Sequence, residues 1–215
     1  MRAAALLLPV ALTFGCAHMA ATPQSDDAAR ERATRQIIVQ WNRQTPDPAS
    51  VLRQKALPVQ PGDDLIGLLA KLRQALSATG GVGIAAPQIG VSRRVFLIKH
   101  GTRPTGQKVV VRAYIDPEVI ARSEATQDDY EACLSVADVG GKLPRFQSLH
   151  LSYTPEDGGA RQHIELFDWD ARIAQHELDH LDGTLYIDRV TDPLLPISEM
   201  RRLRDEGHRA RGLIK

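Results

Sequence analysis

The spacing of apolar residues changes along this chain, and each spacing predicts a different element. Between Asp63 and Ala78, Leu65, Leu68, Leu69, Leu72 and Leu76 recur three and four apart. That is the period of a helix with one apolar face. Asp63 or Asp64 can cap its start, and Gly80-Gly81 can end it. Further on the period shortens. Arg94 to Lys99 and Lys108 to Ile115 are rich in Val and Ile, and Leu149 to Tyr153 and His163 to Phe167 alternate in character, so these runs read as strands. Gly101, Pro104, Gly106, Pro117, Gly140, Gly141, Gly158 and Gly159 punctuate them. A second helix is expected from near Asp170 to Asp182, with Gly183 as its stop. The order helix, strands, helix predicts an α+β domain of mostly antiparallel strands packed around that second helix.

Both ends of the chain read differently. Ala3 to Phe14 is a mostly apolar run behind Arg2, too short to span a bilayer comfortably as a helix. Thr22 to Asp27 is polar and linker-like. The first residues therefore read as an export signal. Gly15-Cys16, just after the apolar run, resembles the lipobox of bacterial lipoproteins, although Thr13 stands where a leucine is usual. On that resemblance Cys16 is lipidated and anchors the protein to a membrane. A true start at Met19 would instead leave a cytoplasmic protein. Ala28 to Arg35 reads as a short charged helix, Ile37 to Trp41 is apolar enough to pack on the domain, and Asp47-Pro48 breaks the chain. Arg201, Arg202, Arg204, Arg209, Arg211 and Lys215 make the other end basic. It reads as a solvated helix, with contact to ribosomal RNA or a membrane surface as the alternative.

Composition narrows the classes. The 215 residues, 43% hydrophobic and 25% charged, suit one globular catalytic domain with extensions. A formal net charge of +1 gives no global pull toward nucleic acid, and no DNA partner is expected. Two cysteines, Cys16 and Cys133, exclude a disulfide framework, and their different settings point to separate roles.

The chemistry concentrates in His176-Glu177-Leu178-Asp179-His180. Two histidines four apart share a helix face and can reach one metal ion, and Glu177 can act as a base on water at that metal. The bland alternative is a helix whose His, Glu and Asp merely face solvent. A catalytic metal takes three protein ligands and keeps an open position, so a third must come from elsewhere. Cys133 is the best candidate, against a buried apolar thiol as its plain reading. Asp179 competes but points away from the histidine face, and Glu165 and Asp168 are weaker rivals. Gly81 to Gln88 is rich in small residues that let a backbone approach a ligand, and Gln88 adds a neutral donor suited to a developing oxyanion.

Three segments carry a resemblance. Gly81-Val82-Gly83-Ile84-Ala85-Ala86-Pro87-Gln88, Glu131-Ala132-Cys133-Leu134-Ser135 and Gln175-His176-Glu177-Leu178-Asp179-His180 resemble the three signature motifs of the peptide deformylases, in order and with compatible spacing. Asp47-Pro48, Leu52 to Ala56, Pro58-Val59, Arg145 and Ala171-Arg172 extend it. The resemblance implies a catalytic domain over residues 36–192, behind a signal-like segment (1–16) and a linker (17–35), with a basic tail at 193–215. It implies one divalent ion, Fe2+ or Zn2+, on Cys133, His176 and His180. Glu177 would be the general base and acid, with Gln88 and the Leu134 N–H holding the oxyanion. Gly83 would bond the substrate backbone, and Val82 would line a methionine pocket. The implied substrate is an N-formyl-methionyl peptide. Glu131 and Arg145 would form a supporting ion pair. The chain departs from the pattern at Ala132 (usually Gly), Ala137 (usually Pro), Asp116 (usually Asn) and Asp170 (commonly Gly). Ala132 is harmless if its φ is negative and strained if positive. An export signal departs further, because deformylation accompanies translation; an exported amidase of different acyl-peptide specificity, or a metal-binding module without turnover, are the alternatives.

Overall fold

The computed structural model describes Arg32, residues 36–104 and residues 106–214. The export signal, Cys16 and most of the helix expected at 28–35 lie outside the described residues.

The first apolar period forms α1, Leu65–Thr79. Of its two cap candidates, Asp64 accepts the Gly67 N–H at 2.9 Å. Asp63 instead pairs with Arg93, whose Nε and Nη2 lie 2.5 and 2.8 Å from its carboxylate. Gly80 closes the helix in the left-handed region at φ 69°. The chain then runs into a five-stranded antiparallel sheet, in the order β1 (Gly83–Ala85), β2 (Val95–His100), β3 (Val110–Arg122), β6 (Ser148–Thr154), β7 (Gln162–Phe167). Val95 and Leu97 of β2 pack with the α1 leucines. Phe96 and Ile98 pack with Ala171, Ile173, Ala174 and Leu178 of α2, Asp168–Leu181. An unbroken apolar run is the signature of a strand covered on both faces.

β4 (Thr126–Cys133), β5 (Val136–Phe146) and the short β8 (Leu195–Pro196) form a second antiparallel sheet, and α2 contacts strands of both. This is the expected α+β architecture around a central helix. The second sheet itself was not expected. β4 carries many polar residues, and β5 contains Gly140 and Gly141, which read as breakers, together with Pro144. Gly140 and Gly141 are close-approach positions inside the strand. A Cβ at Gly140 would meet Met200 at 2.6 Å, and one at Gly141 would meet Val190 at 2.6 Å. Asp116-Pro117, also read as a break, is a bulge within β3, with Asp116 at φ 46° and its carboxylate accepting the Val59 N–H.

The basic tail is a second correction. It forms α3, Ile197–Ala210, which is docked through buried Met200 and His208. His208 Nε2 lies 2.7 Å from Asp129 Oδ2 on β4, and Arg211 donates to the same oxygen at 2.6 Å. A regular pattern of basic residues hid the two positions that anchor the helix.

Candidate metal centre

The tight turn between β4 and β5 carries the thiol. Cys133 ends β4 and pairs with Val136, so Leu134 and Ser135 alone make the turn. The Ser135 N–H points back to Cys133 Sγ at 3.3 Å. Ala132 is not left-handed; among the described residues the left-handed ones besides glycines are Asp116, Asp138 and Asp168. Its methyl group therefore strains nothing in the backbone.

Facing that turn, α2 presents His176 and His180. The ligand atoms of Cys133, His176 and His180 all lie within 4.8 Å of one another, with Cys133 Sγ 3.2 Å from His180 Nε2. One thiolate and two imidazoles fit a divalent transition metal and leave a position open. His176 Nδ1 is held 2.9 Å from Glu131, which turns its other ring nitrogen toward the thiol side. Burial raises the Cys133 thiol, but the His180 charge and hydrogen bonds from both imidazoles outweigh it and hold the group well below its usual range. The thiolate is the form that binds metal. Burial lowers His176, and contacts with Cys133 and Glu131 carry it well above the usual histidine value.

Behind the histidines runs a buried ion network. Arg145 donates from Nε and Nη2 to the two Glu131 oxygens, each at 2.9 Å, and from Nη1 to Asp179 at 2.6 Å. Arg172 donates to Glu131 at 2.7 Å, and Arg189 forks onto Asp179 at 2.8 and 2.7 Å. Despite its burial, Glu131 is held well below the ordinary carboxylate range, chiefly by Arg145. Asp179 is thus spent on two arginines and is not in the ligand group; Glu165 and Asp168 are exposed and also outside it. The expected Glu131–Arg145 pair is present. Arg172 and Arg189 as its continuation were not anticipated. An arginine at Arg172, four residues before His176 on a helix with no solvated face, was the available signal.

Glu177 is buried, and burial pushes its carboxyl up to about 7. It lies against Gly83: a Cβ there would overlap the carboxylate and come within 2.7 Å of Ile173 Cγ2. Gly83 is opposite Ile98, and the bond between them is made by their neighbours, Lys99 N–H to Val82 O at 2.8 Å. In an antiparallel ladder that makes Gly83 a non-hydrogen-bonded position, so its own N–H and C=O point to the free edge of β1. Gln88 is fixed by its oxygen, which accepts the Ala85 N–H at 2.8 Å. Its Nε2 therefore faces Cys133 Sγ, at 3.6 Å, and Ser135 Oγ, at 3.4 Å. Residues 38–41 strap both sides together: Val39 N–H bonds Gln88 O at 2.8 Å, and Trp41 N–H bonds Ser135 O at 2.7 Å. A cavity of about 670 Å³ opens onto Val82, Gly83, Gln88, Cys133, Leu134 and Glu177.

Such a scaffold and site define a class: hydrolytic metalloenzymes with one Cys/His/His ion site and a buried acid beside an open strand edge. The sequence model of the family described as polypeptide deformylase matches residues 39–194. Peptide deformylase 2 of Nostoc sp. is 39% identical over 140 residues, 64% of this chain and 74% of that protein. The crystal structure of peptide deformylase from Thermotoga maritima superposes with a TM-score of 0.63 at 32% identity, covering 72% of this chain and 97% of that one. A Met-Ala-Ser-bound class I type b peptide deformylase from Acinetobacter baumannii gives 0.62 at 27% identity, covering 71% and 96%. The chain belongs to the polypeptide deformylase family.

Proposed function

We propose that this enzyme removes the N-formyl group from N-formyl-methionyl peptides and releases formate. The observation that carries the reading is the buried Glu177 carboxylate, which lies against Gly83 and lines one cavity with Cys133 and His176 of the ligand group. Cys133, His176 and His180 would hold one divalent ion, which when bound polarises a water and lowers its pKa toward neutrality. Fe2+ is the ion the family resemblance implies; Zn2+ suits the same donors. Gly83 bonds the peptide backbone as an added strand, and Val82 and Ile173 line the apolar wall for the methionine side chain. Glu177, poised near neutrality, takes the proton of the attacking water and returns it to the leaving amine. Gln88 Nε2 and the Leu134 N–H hold the oxyanion that develops on the formyl oxygen.

The test is formate release from formyl-Met-Ala-Ser by anaerobically purified, metal-analysed protein. Glu177→Ala should retain its metal and lose about 10²-fold or more in kcat, the usual contribution of a positioned acid–base group. Near-native turnover by that variant would remove Glu177 from the reaction.

A further inference from the structure

The cavity has a wall that the reaction above leaves unused. Arg103, from the β2–β3 connection, and Arg201 and Arg204, from α3, all line it. Ile197, Arg201, Arg204 and His208 are spaced four, three and four apart and form one stripe of the helix. His208 locks that stripe in place by its bond to Asp129 and its edge contact with Trp169, ring centroids 5.4 Å apart. Arg103 lies over the same Trp169 ring, 4.5 Å from its centroid, and Trp169 Nε1 is tied to Thr102 Oγ1 at 3.0 Å. Trp169 and His176 are two turns apart on α2, which puts the arginine wall about 10 Å along the helix from the histidines.

Negative charge is short at this wall. Glu131 is taken by Arg145, Arg172 and His176, and Asp129 by His208 and Arg211. Asp205 serves two of the three arginines, at 4.0 Å from Arg103 and 3.5 Å from Arg204. Asp138 also lines the cavity, yet among the described residues no ion pair within 4 Å joins it to these arginines, and none at all is made by Arg201. Arg103 Nη1 is buried without a hydrogen-bond partner, and Arg204 Nε, also buried, has only the 3.5 Å contact with Asp205 and no hydrogen bond. Buried, unpartnered donors on charged groups cost free energy unless a ligand completes them. Burial, and next the nearby Arg204 charge, lower the Arg103 guanidinium below its usual value. Arg201 and Arg204 stand beyond residue 194, where the family match ends.

We propose that Arg103, Arg201 and Arg204 form a carboxylate subsite for the substrate peptide. A guanidinium fork matches a carboxylate bidentately. The carboxylate has two sources, an acidic side chain of the peptide or its free C terminus. The proposal rests on the deformylase reading and deepens it to a substrate class: short formylated peptides that carry an acidic group near the formyl end.

The test uses metal-loaded full-length enzyme and paired peptides. Formyl-Met-Ala-Ser is compared as free acid and amide. In amidated formyl-methionyl tripeptides, Glu is compared with Gln at the second and at the third position. The acid member of at least one pair should have a kcat/KM higher by about tenfold, in keeping with a charge-assisted hydrogen bond, and the responding pair names the source. Arg201→Gln/Arg204→Gln should bring that ratio toward one, whereas Arg209→Gln, exposed on the same helix, should keep it. Ratios within twofold for all pairs in an active enzyme overturn the subsite. Calorimetric titration with the deformylated product of each pair, acid against neutral member, reads the subsite without turnover: tighter binding of the acid in at least one pair supports it, and equal affinity in every pair overturns it. Absence of formate from every peptide, beside a retained binding preference, would strike the deformylase reading and leave the subsite standing.

Discussion

On the proposed mechanism, Glu177 serves chemistry at the expense of the fold. Its carboxyl sits at about 7 because it is buried, against an ordinary value of 4.5. The native state therefore binds its proton more tightly than the unfolded chain does. That contribution to stability is present below pH 4.5 and is lost as pH rises toward 7. A neutral glutamine avoids the loss. Metal-free Glu177→Gln should accordingly melt higher than metal-free wild type above pH 7, and thermal scans should show the advantage shrink as pH falls toward 4.5. An advantage that is constant across that range would mean the carboxyl is not held up by burial. The role proposed for Glu177 comes from its motif, which is plain in the sequence. What burial does to it is not, because that depends on the approach of Gly83, far away in the chain.

At the level of elements, legibility followed periodicity. α1, α2 and the strands with Val- and Ile-rich or alternating runs announced themselves. The β4–β5 hairpin did not, although it carries Cys133, Glu131 and Arg145. Its residues were chosen for an ion network and for close packing of Gly140 on Met200, and both erase the alternating pattern. α3 was masked in the same way, its two buried anchors standing among charges. The network itself supplies a prediction. Removing one member of a buried ion pair leaves its partner unsatisfied. Arg145→Ala should destabilise the fold by about 3 kcal/mol, the lower end of the usual cost, because Arg172 and Arg189 still neutralise Glu131 and Asp179. Urea denaturation measures it, and a loss within experimental error would show that the network does not hold the hairpin to α2.

Seen whole, the molecule is two sheets joined through one helix, and the metal centre lies on the joint. Cys133 belongs to the second sheet, the histidines to α2, and Gln88 follows β1 of the first. An ion bound there ties these parts in the folded state alone, so its binding free energy adds to stability. Chelation should lower the melting temperature by several degrees as well as abolish turnover, and added Fe2+ or Zn2+ should restore it. Calorimetry with and without chelator decides the point; identical curves would mean that the hairpin is held without the ion. The short contact between Gly83 and Glu177 also has a hereditary consequence. Neither position can drift alone: any side chain at 83 is refused while the carboxylate stands at 177. A lineage that lost the acid would be released from the nearer obstacle and left with the Ile173 methyl, 2.7 Å away, which a smaller residue at 173 would clear. Combined replacement at 83 and 177, with Ile173→Ala to clear the second contact, should therefore be less damaging to folding than the single effects added together, and larger residues at 83 should mark descendants that no longer catalyse.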